Sequence, residues 1–84
     1  MKDDLRQGVT PAGHDVLDAA DRIRTANQGE PRLRQLRILS SYARLQSGYI
    51  SEPTMPAADR RLAAVEGAAA LLLVAELLQL EGEG

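Results

Sequence analysis

Apolar positions recur every three or four residues through most of the chain, a spacing typical of amphipathic α-helices. The first helical stretch begins at Thr10-Pro11, a favoured pair for the N-cap and the first helical position. It stops before Gly29, the residue type that most often follows a helix. The pattern therefore predicts a helix over about residues 11–28, whose apolar side carries Val16, Leu17, Ala20 and Ile23.

A second helix is predicted over about residues 31–47, again opening on a proline. Only Gly29 and Glu30 separate it from the first, so the two form either an antiparallel hairpin or a steeper helix-turn-helix corner. One side is apolar, with Leu36, Ile38, Leu39, Tyr42, Ala43 and Leu45. The other side is a basic ridge with the spacing i, i+3, i+7, i+10, formed by Arg34, Arg37, Ser41 and Arg44. Gly48 and two following prolines indicate a loop.

The longest predicted helix covers about residues 56–81, between Pro56 and Gly82. Its apolar residues surround the helix axis, and such a helix must be buried on more than one side. One broad face carries Leu62, Val65, Leu72, Leu73, Leu77 and Leu80. A second face consists of Arg60, Ala64, Gly67, Leu71, Val74, Leu78 and Glu81.

This second face is nearly self-complementary, which predicts a homodimer. In an antiparallel pair with its two-fold axis near Leu71, small residues oppose large ones, as a symmetric interface requires. Arg60 then faces Glu81, Ala64 faces Leu78, and Gly67 faces Val74. In the alternative interpretation, the two shorter helices of the same chain cover this face.

Length and composition favour a small all-α protein. The 84 residues suffice for one domain with a modest core. They include 13 Ala and 13 Leu but no Phe or Trp, which suits close-packed helices better than a sheet. We expect a three-helix bundle over residues 10–84 with a long C-terminal helix, preceded by an N-terminal arm over residues 1–9.

Charge is segregated along the chain, although the net charge is only −2. Residues 22–51 carry six Arg against Glu30 alone, and the segments on either side are acidic. Either the segments compensate one another within the molecule, or the basic helix binds an anionic partner. An acidic protein and a nucleic acid are both candidates, through Arg32, Arg34, Arg37, Ser41 and Arg44. The pI of 5.3 is low for a nucleic-acid-binding protein and favours compensation.

Residues that carry chemistry are few. His14 is the only histidine, and there is no cysteine, so a metal centre is not expected. The chain has no phosphate-binding glycine motif and no recognisable nucleophile motif. We therefore predict a non-enzymatic protein with no catalytic residue, metal or cofactor.

The expected location is the cytoplasm. The charged N-terminus lacks the apolar region of a secretory signal. The longest uncharged apolar run, residues 67–75, is about half of a membrane span, so no membrane association is expected. The leading hypothesis is a small dimeric adaptor, inhibitor or assembly subunit. The alternative is a nucleic-acid-binding regulator that uses the basic helix.

Overall fold

In the computed structural model, the chain is described over residues 10–83, with side chains described for residues 10–80. Three helices follow one another: α1 (Pro11–Ala26), α2 (Arg32–Ile50) and α3 (Ala57–Glu83). The prediction of an all-α three-helix protein with a long C-terminal helix is confirmed. The predicted N-terminal arm, residues 1–9, lies outside the described residues.

The two ends of α1 are closed by polar side chains. Thr10 is the N-cap, as predicted, and its hydroxyl oxygen accepts a 3.1 Å hydrogen bond from the backbone nitrogen of Gly13. At the other end the side-chain amide of Asn27 donates to the carbonyl of Ile23 over 2.9 Å. This bond ends α1 two residues earlier than predicted. Gly29, with φ of +94°, then turns the chain through a backbone conformation that other residues rarely adopt.

The second helix continues past Gly48 to Ile50, beyond its predicted end at Ser47. A glycine inside a helix costs about 1 kcal/mol relative to alanine, which is too little to end a helix that is otherwise supported. Support comes from Arg60, whose Nε donates to the carbonyl of Ile50 over 2.8 Å. A side chain from α3 thus satisfies a carbonyl at the C-terminus of α2.

The third helix is the centre of the fold. It packs extensively along α2 and less extensively along α1, whereas α1 and α2 make few contacts with each other. The Arg60–Ile50 bond and the approach of Gly67 to Gln46 show that α2 runs antiparallel to α3. Hydrogen bonds from successive α1 arginines to Glu66 and Glu76 show that α1 runs in the same direction as α3. The first two helices therefore run in opposite directions along α3, without packing closely on each other.

Alanine dominates the core. Among the described residues, the buried apolar side chains are Ala19, Ala20, Ile23, Leu39, Ala43, Ala63, Ala69, Ala70 and Leu73. Small side chains bring the helix axes together, and Gly67 lies in the contact between α2 and α3. A Cβ atom at Gly67 would lie 3.3 Å from the Cβ of Gln46 and 4.0 Å from the carbonyl oxygen of Ala43. A side chain at position 67 would therefore require Gln46 to shift by a few tenths of an ångström.

Candidate functional site

The surface of α3 that faces away from α1 and α2 is apolar. We call it the outer face of α3, and it consists of Ala64, Ala68, Leu71, Ala75 and Leu78, all of them exposed. Leu71 and Leu78 leave 57% and 52% of their surface open to solvent. Between Ala64 and Leu78 the one exposed charged residue is Glu76, which lies on the side of α1 and pairs with Arg24. The outer face itself carries no charge.

The predicted dimer interface overlaps this outer face only in part. Ala64, Leu71 and Leu78 are exposed, as the prediction requires. Gly67 is buried against α2, and Val74 is half-buried against the core, so both belong to the interior of the chain. The outer face contains Ala68 and Ala75 in their place.

The charged ends of the predicted interface also differ from expectation. Arg60, which was expected to face Glu81 of a second copy, donates instead to the carbonyl of Ile50 in its own chain. The side chain of Glu81 lies outside the described residues.

The basic ridge of α2 is exposed along its whole length. The five predicted binding residues, Arg32, Arg34, Arg37, Ser41 and Arg44, all face solvent. Arg34 forms a 2.9 Å ion pair with Glu30, one turn earlier. Arg37 and Arg44 have no carboxylate partner among the described residues. The same holds for Arg32, so three positive charges on this helix are not compensated within the described part of the chain.

Apolar side chains lie directly beside this ridge. Leu33, Ile38 and Leu45 are 60%, 36% and 52% exposed, and Tyr42 is half-buried next to them. Together with Pro31, Arg34, Arg37 and Ser41 they line a shallow, open depression of about 700 Å³ on the surface of this one helix, which we call the α2 groove. The sequence placed Ile38 and Leu45 on the apolar side of the helix, but only Leu39, Ala43 and Gln46 of α2 are buried. Neither α1 nor α3 covers the edge where Ile38 and Leu45 lie.

One polar cluster joins all three helices. The carboxylate of Glu66, on α3, is buried and accepts hydrogen bonds from the guanidinium of Arg22 on α1 and the hydroxyl of Tyr42 on α2. The Tyr42 bond is 2.6 Å long. Every helix contributes one side chain to this cluster, which therefore fixes the position of α1 and α2 on α3.

The pKa values in the cluster reflect this pairing. Burial by itself would raise the pKa of Glu66, but the hydrogen bonds from Arg22 and Tyr42 outweigh it, and the pKa is lowered. Burial, and then the hydrogen bond to Glu66, raise the pKa of Tyr42. The hydrogen bond to Glu66 also raises the pKa of Arg22. Glu66 is thus held as a carboxylate, and its role is structural.

Glu66 was not among the residues predicted from the sequence. A signal was present, because Glu66 is a lone acid between the apolar residues Val65 and Ala69, and a charge in such a place is seldom buried without a partner. Its partners are 44 and 24 residues away in sequence, and only the packing of the helices brings them together.

Charge compensation, one of the two interpretations of the basic segment, applies to α1. Arg22 pairs with Glu66, and Arg24 pairs with both Asp21 and Glu76 over 2.8 Å. These acids belong to the acidic segments on either side of the basic one. The arginines of α1 therefore compensate charge inside the molecule, whereas Arg37 and Arg44 of α2 do not.

By length and composition, Ala57–Leu80 of α3 would suffice to cross a membrane, the one such stretch in the described part of the chain. The core helix of a soluble protein has the same properties, and α3 is the helix on which both others pack. Its middle also carries the carboxylate of Glu66, paired with Arg22. The composition of α3 therefore does not by itself indicate a membrane protein.

Comparison with known proteins assigns no relative: no protein-family model matches the chain, and no curated protein or solved structure is significantly similar to it.

Proposed function

We propose that this chain is a non-enzymatic protein-interaction module, of the adaptor, inhibitor or assembly-subunit type, that acts as a homodimer in the cytoplasm. The observation that carries the proposal is the uncharged outer face of α3, with Leu71 and Leu78 more than half exposed. Continuous apolar surface of this kind on a small soluble protein is typical of an interface.

The spacing along the outer face supports helix-to-helix association. The exposed positions 64, 68, 71, 75 and 78 alternate steps of four and three residues, which is the spacing of a coiled-coil seam. Three of the five are alanine, so a second helix would approach closely. A seam of this kind pairs best with another helix of the same spacing.

A second copy of α3 fits this seam. We place the two-fold axis of an antiparallel pair midway between Leu71 and Ala75, close to the position that the sequence suggested. Leu71 of each copy then opposes Ala75 of the other, and Ala68 opposes Leu78. Each leucine therefore meets an alanine, and the same surface serves both copies, as two-fold symmetry requires.

The buried carboxylate already has a structural role, because Glu66 accepts hydrogen bonds from Arg22 and Tyr42. This arrangement supports a binding role rather than an enzymatic one.

Sedimentation velocity at micromolar concentration tests the dimer. We expect the unmodified chain to sediment as a dimer and Leu71→Glu to sediment as a folded monomer, because each copy would bury a carboxylate against the alanine at position 75 of the other, close to the axis. Leu45→Glu is the matched control: it introduces the same charge at a similarly exposed leucine on α2 and should leave the dimer intact.

Two results would contradict the dimer. The first is an unmodified chain that stays monomeric up to about 100 μM. At that concentration an interface with micromolar affinity would be largely occupied. The second is a Leu71→Glu variant that keeps its helical circular dichroism and still forms the dimer.

A further inference from the structure

Of the surfaces outside the outer face of α3, the α2 groove combines exposed apolar side chains with uncompensated charge. Arg37 and Arg44 lack acidic partners among the described residues, while Ile38 and Leu45 leave apolar surface open beside them. A basic face that only contacts water would not require exposed apolar side chains, and a surface that only packs against apolar groups would not require arginines. A partner of this surface must therefore offer both apolar contacts and negative charge.

We infer that the α2 groove binds an amphipathic helix of a partner protein whose apolar seam is flanked by Asp or Glu. This inference rests on the proposed role as an interaction module and names the partner that its second surface fits. It does not depend on the dimer, because the outer face of α3 shares no residue with the groove.

The helical form of the partner follows from the spacing of the apolar residues. Ile38, Tyr42, Leu45 and Tyr49 are separated by steps of four, three and four residues, which forms a single seam along α2. Tyr49 is exposed like Ile38 and extends this seam beyond the groove. From Ile38 to Tyr49 the seam is about 17 Å long at 1.5 Å per residue, which corresponds to about three turns of a partner helix. Helix-in-groove binding uses anchors with this spacing.

The acidic character of the partner follows from the charges. Arg37 and Ser41 line the groove and Arg44 continues the same ridge, all on one side of the apolar seam. The guanidinium group forks onto carboxylates, so acids on one flank of the partner helix would pair with these arginines. The same flank would fix the direction in which the helix binds.

A nucleic acid fits the groove less well. It would use the arginines and leave Leu33, Ile38 and Leu45 exposed to water or against phosphates. The protein as a whole is also acidic, with a pI of 5.3. A duplex would therefore meet a single basic strip on a molecule that otherwise repels it.

The test is a selection from a displayed library of 18-residue helices with a constant polar back and randomised seam and flank positions. The bait is the full chain, and the Arg37→Glu/Arg44→Glu variant removes non-specific binders. We expect enriched peptides to carry apolar residues at i, i+4 and i+7 with Asp or Glu on one flank.

Fluorescence anisotropy of the best enriched peptide then separates the two contributions. Arg37→Glu/Arg44→Glu and Ile38→Ser/Leu45→Ser should each weaken binding about tenfold or more, a change that corresponds to the loss of a single good contact or charge pair. Arg61→Glu is the control: it makes the same charge change at an exposed arginine of α3 that does not line the groove, and binding should stay within about twofold. Circular dichroism confirms that each variant is folded.

The inference is overturned if no peptide is enriched, if enriched peptides lack acids, or if either double variant binds as tightly as the unmodified chain. It is also overturned if random-sequence duplex DNA binds, with an affinity that falls steeply with salt and is lost in Arg37→Glu/Arg44→Glu. Failure of the dimer would show separately, because monomeric Leu71→Glu should still bind the peptide. A dimer that binds no peptide would leave the proposed function standing without this partner.

Discussion

At the scale of single residues, Glu66 is the polar residue that connects all three helices that the structure describes. It is a buried carboxylate with two donors, and neither donor is a neighbour in sequence. Removing one partner of such a cluster leaves the other group buried and unpaired, which costs more than the bond contributed. Exposed pairs such as Arg24–Glu76 contribute little, because water screens both charges.

We therefore expect Glu66→Gln to lower the free energy of unfolding by about 1–3 kcal/mol, since the amide keeps the shape but loses the charge that Arg22 and Tyr42 require. Glu76→Gln is the matched control, with the same chemical change at an exposed pair, and should cost less than about 1 kcal/mol. Urea denaturation followed by circular dichroism measures both. Equal losses in the two variants would contradict the structural role of Glu66.

The lowered pKa of Glu66 also predicts how stability depends on pH. The folded state favours the charged form of Glu66 more than the unfolded state does. The stabilisation is therefore complete above the unfolded pKa and is lost as pH falls through the folded pKa. We expect stability to decline below about pH 4.5, near the ordinary pKa of a glutamate, and to decline less in Glu66→Gln. An equally steep decline in both proteins would place the acid sensitivity elsewhere.

At the scale of elements, α2 and α3 depend on two glycines in opposite ways. Gly48 lies near the end of α2 with no atom within 4 Å of where a Cβ would be. Gly67 lies in the contact between α2 and α3, and its missing side chain leaves room for Gln46. Both pay the same entropic cost of ordering a glycine in a helix, but only Gly67 gains packing from it.

The two positions should therefore respond oppositely to substitution. Gly48→Ala is expected to stabilise the protein by about 0.5–1 kcal/mol, the difference in helix propensity. Gly67→Val is expected to destabilise it by about 1–3 kcal/mol, because the added methyl groups force α2 away from α3. Thermal unfolding of the two variants measures this. A neutral Gly67→Val would mean that α2 can move away without loss.

The positions of the helices along the chain were largely predictable from sequence, but the rotation of α3 about its own axis was not. Thr10, Pro11 and Gly29 mark the limits of α1 through chemistry that acts locally, and helix periodicity located all three helices to within a few residues. For α3 the wheel could not decide which side faces out, since apolar residues surround it. The predicted interface consequently included Gly67 and Val74, which the contact with α2 and the core takes inward.

The candidate binding surface on α2 was predictable in its charges but not in its apolar part. Arg34, Arg37 and Arg44 share one side of any helix with that spacing, whatever packs against it. Whether Ile38 and Leu45 are buried depends on where α1 lies relative to α2, and a sequence pattern carries no information on that placement. Tertiary packing therefore decided which apolar side chains were left open.

At the scale of the whole molecule, the contacts are unevenly distributed. The α2–α3 contact is extensive, the α1–α3 contact is smaller, and α1 touches α2 little. The first helix is attached mainly through a few alanines, Ile23 and the bonds of Arg22 and Arg24 to α3. An element held by fewer buried contacts opens at a lower free energy than the rest.

Native-state hydrogen exchange should show this difference. We expect the amides in the middle of α1 to exchange with a smaller opening free energy than those in the middle of α3, where both other helices pack. Arg22→Ala should widen the difference by loosening α1 alone. Identical opening free energies in α1 and α3 would instead indicate that the three helices unfold as one cooperative unit.

The alanine-rich core also limits where the protein can gain stability. Each buried alanine contributes only one methyl group, so the core buries little apolar surface per residue. More stability can be gained at the surface, where a single copy leaves leucines exposed to solvent. Burying the exposed surface of Leu71 and of Leu78 would each contribute a free energy of about 1 kcal/mol. In the dimer that we propose, a second copy would therefore bury apolar surface that one copy leaves exposed.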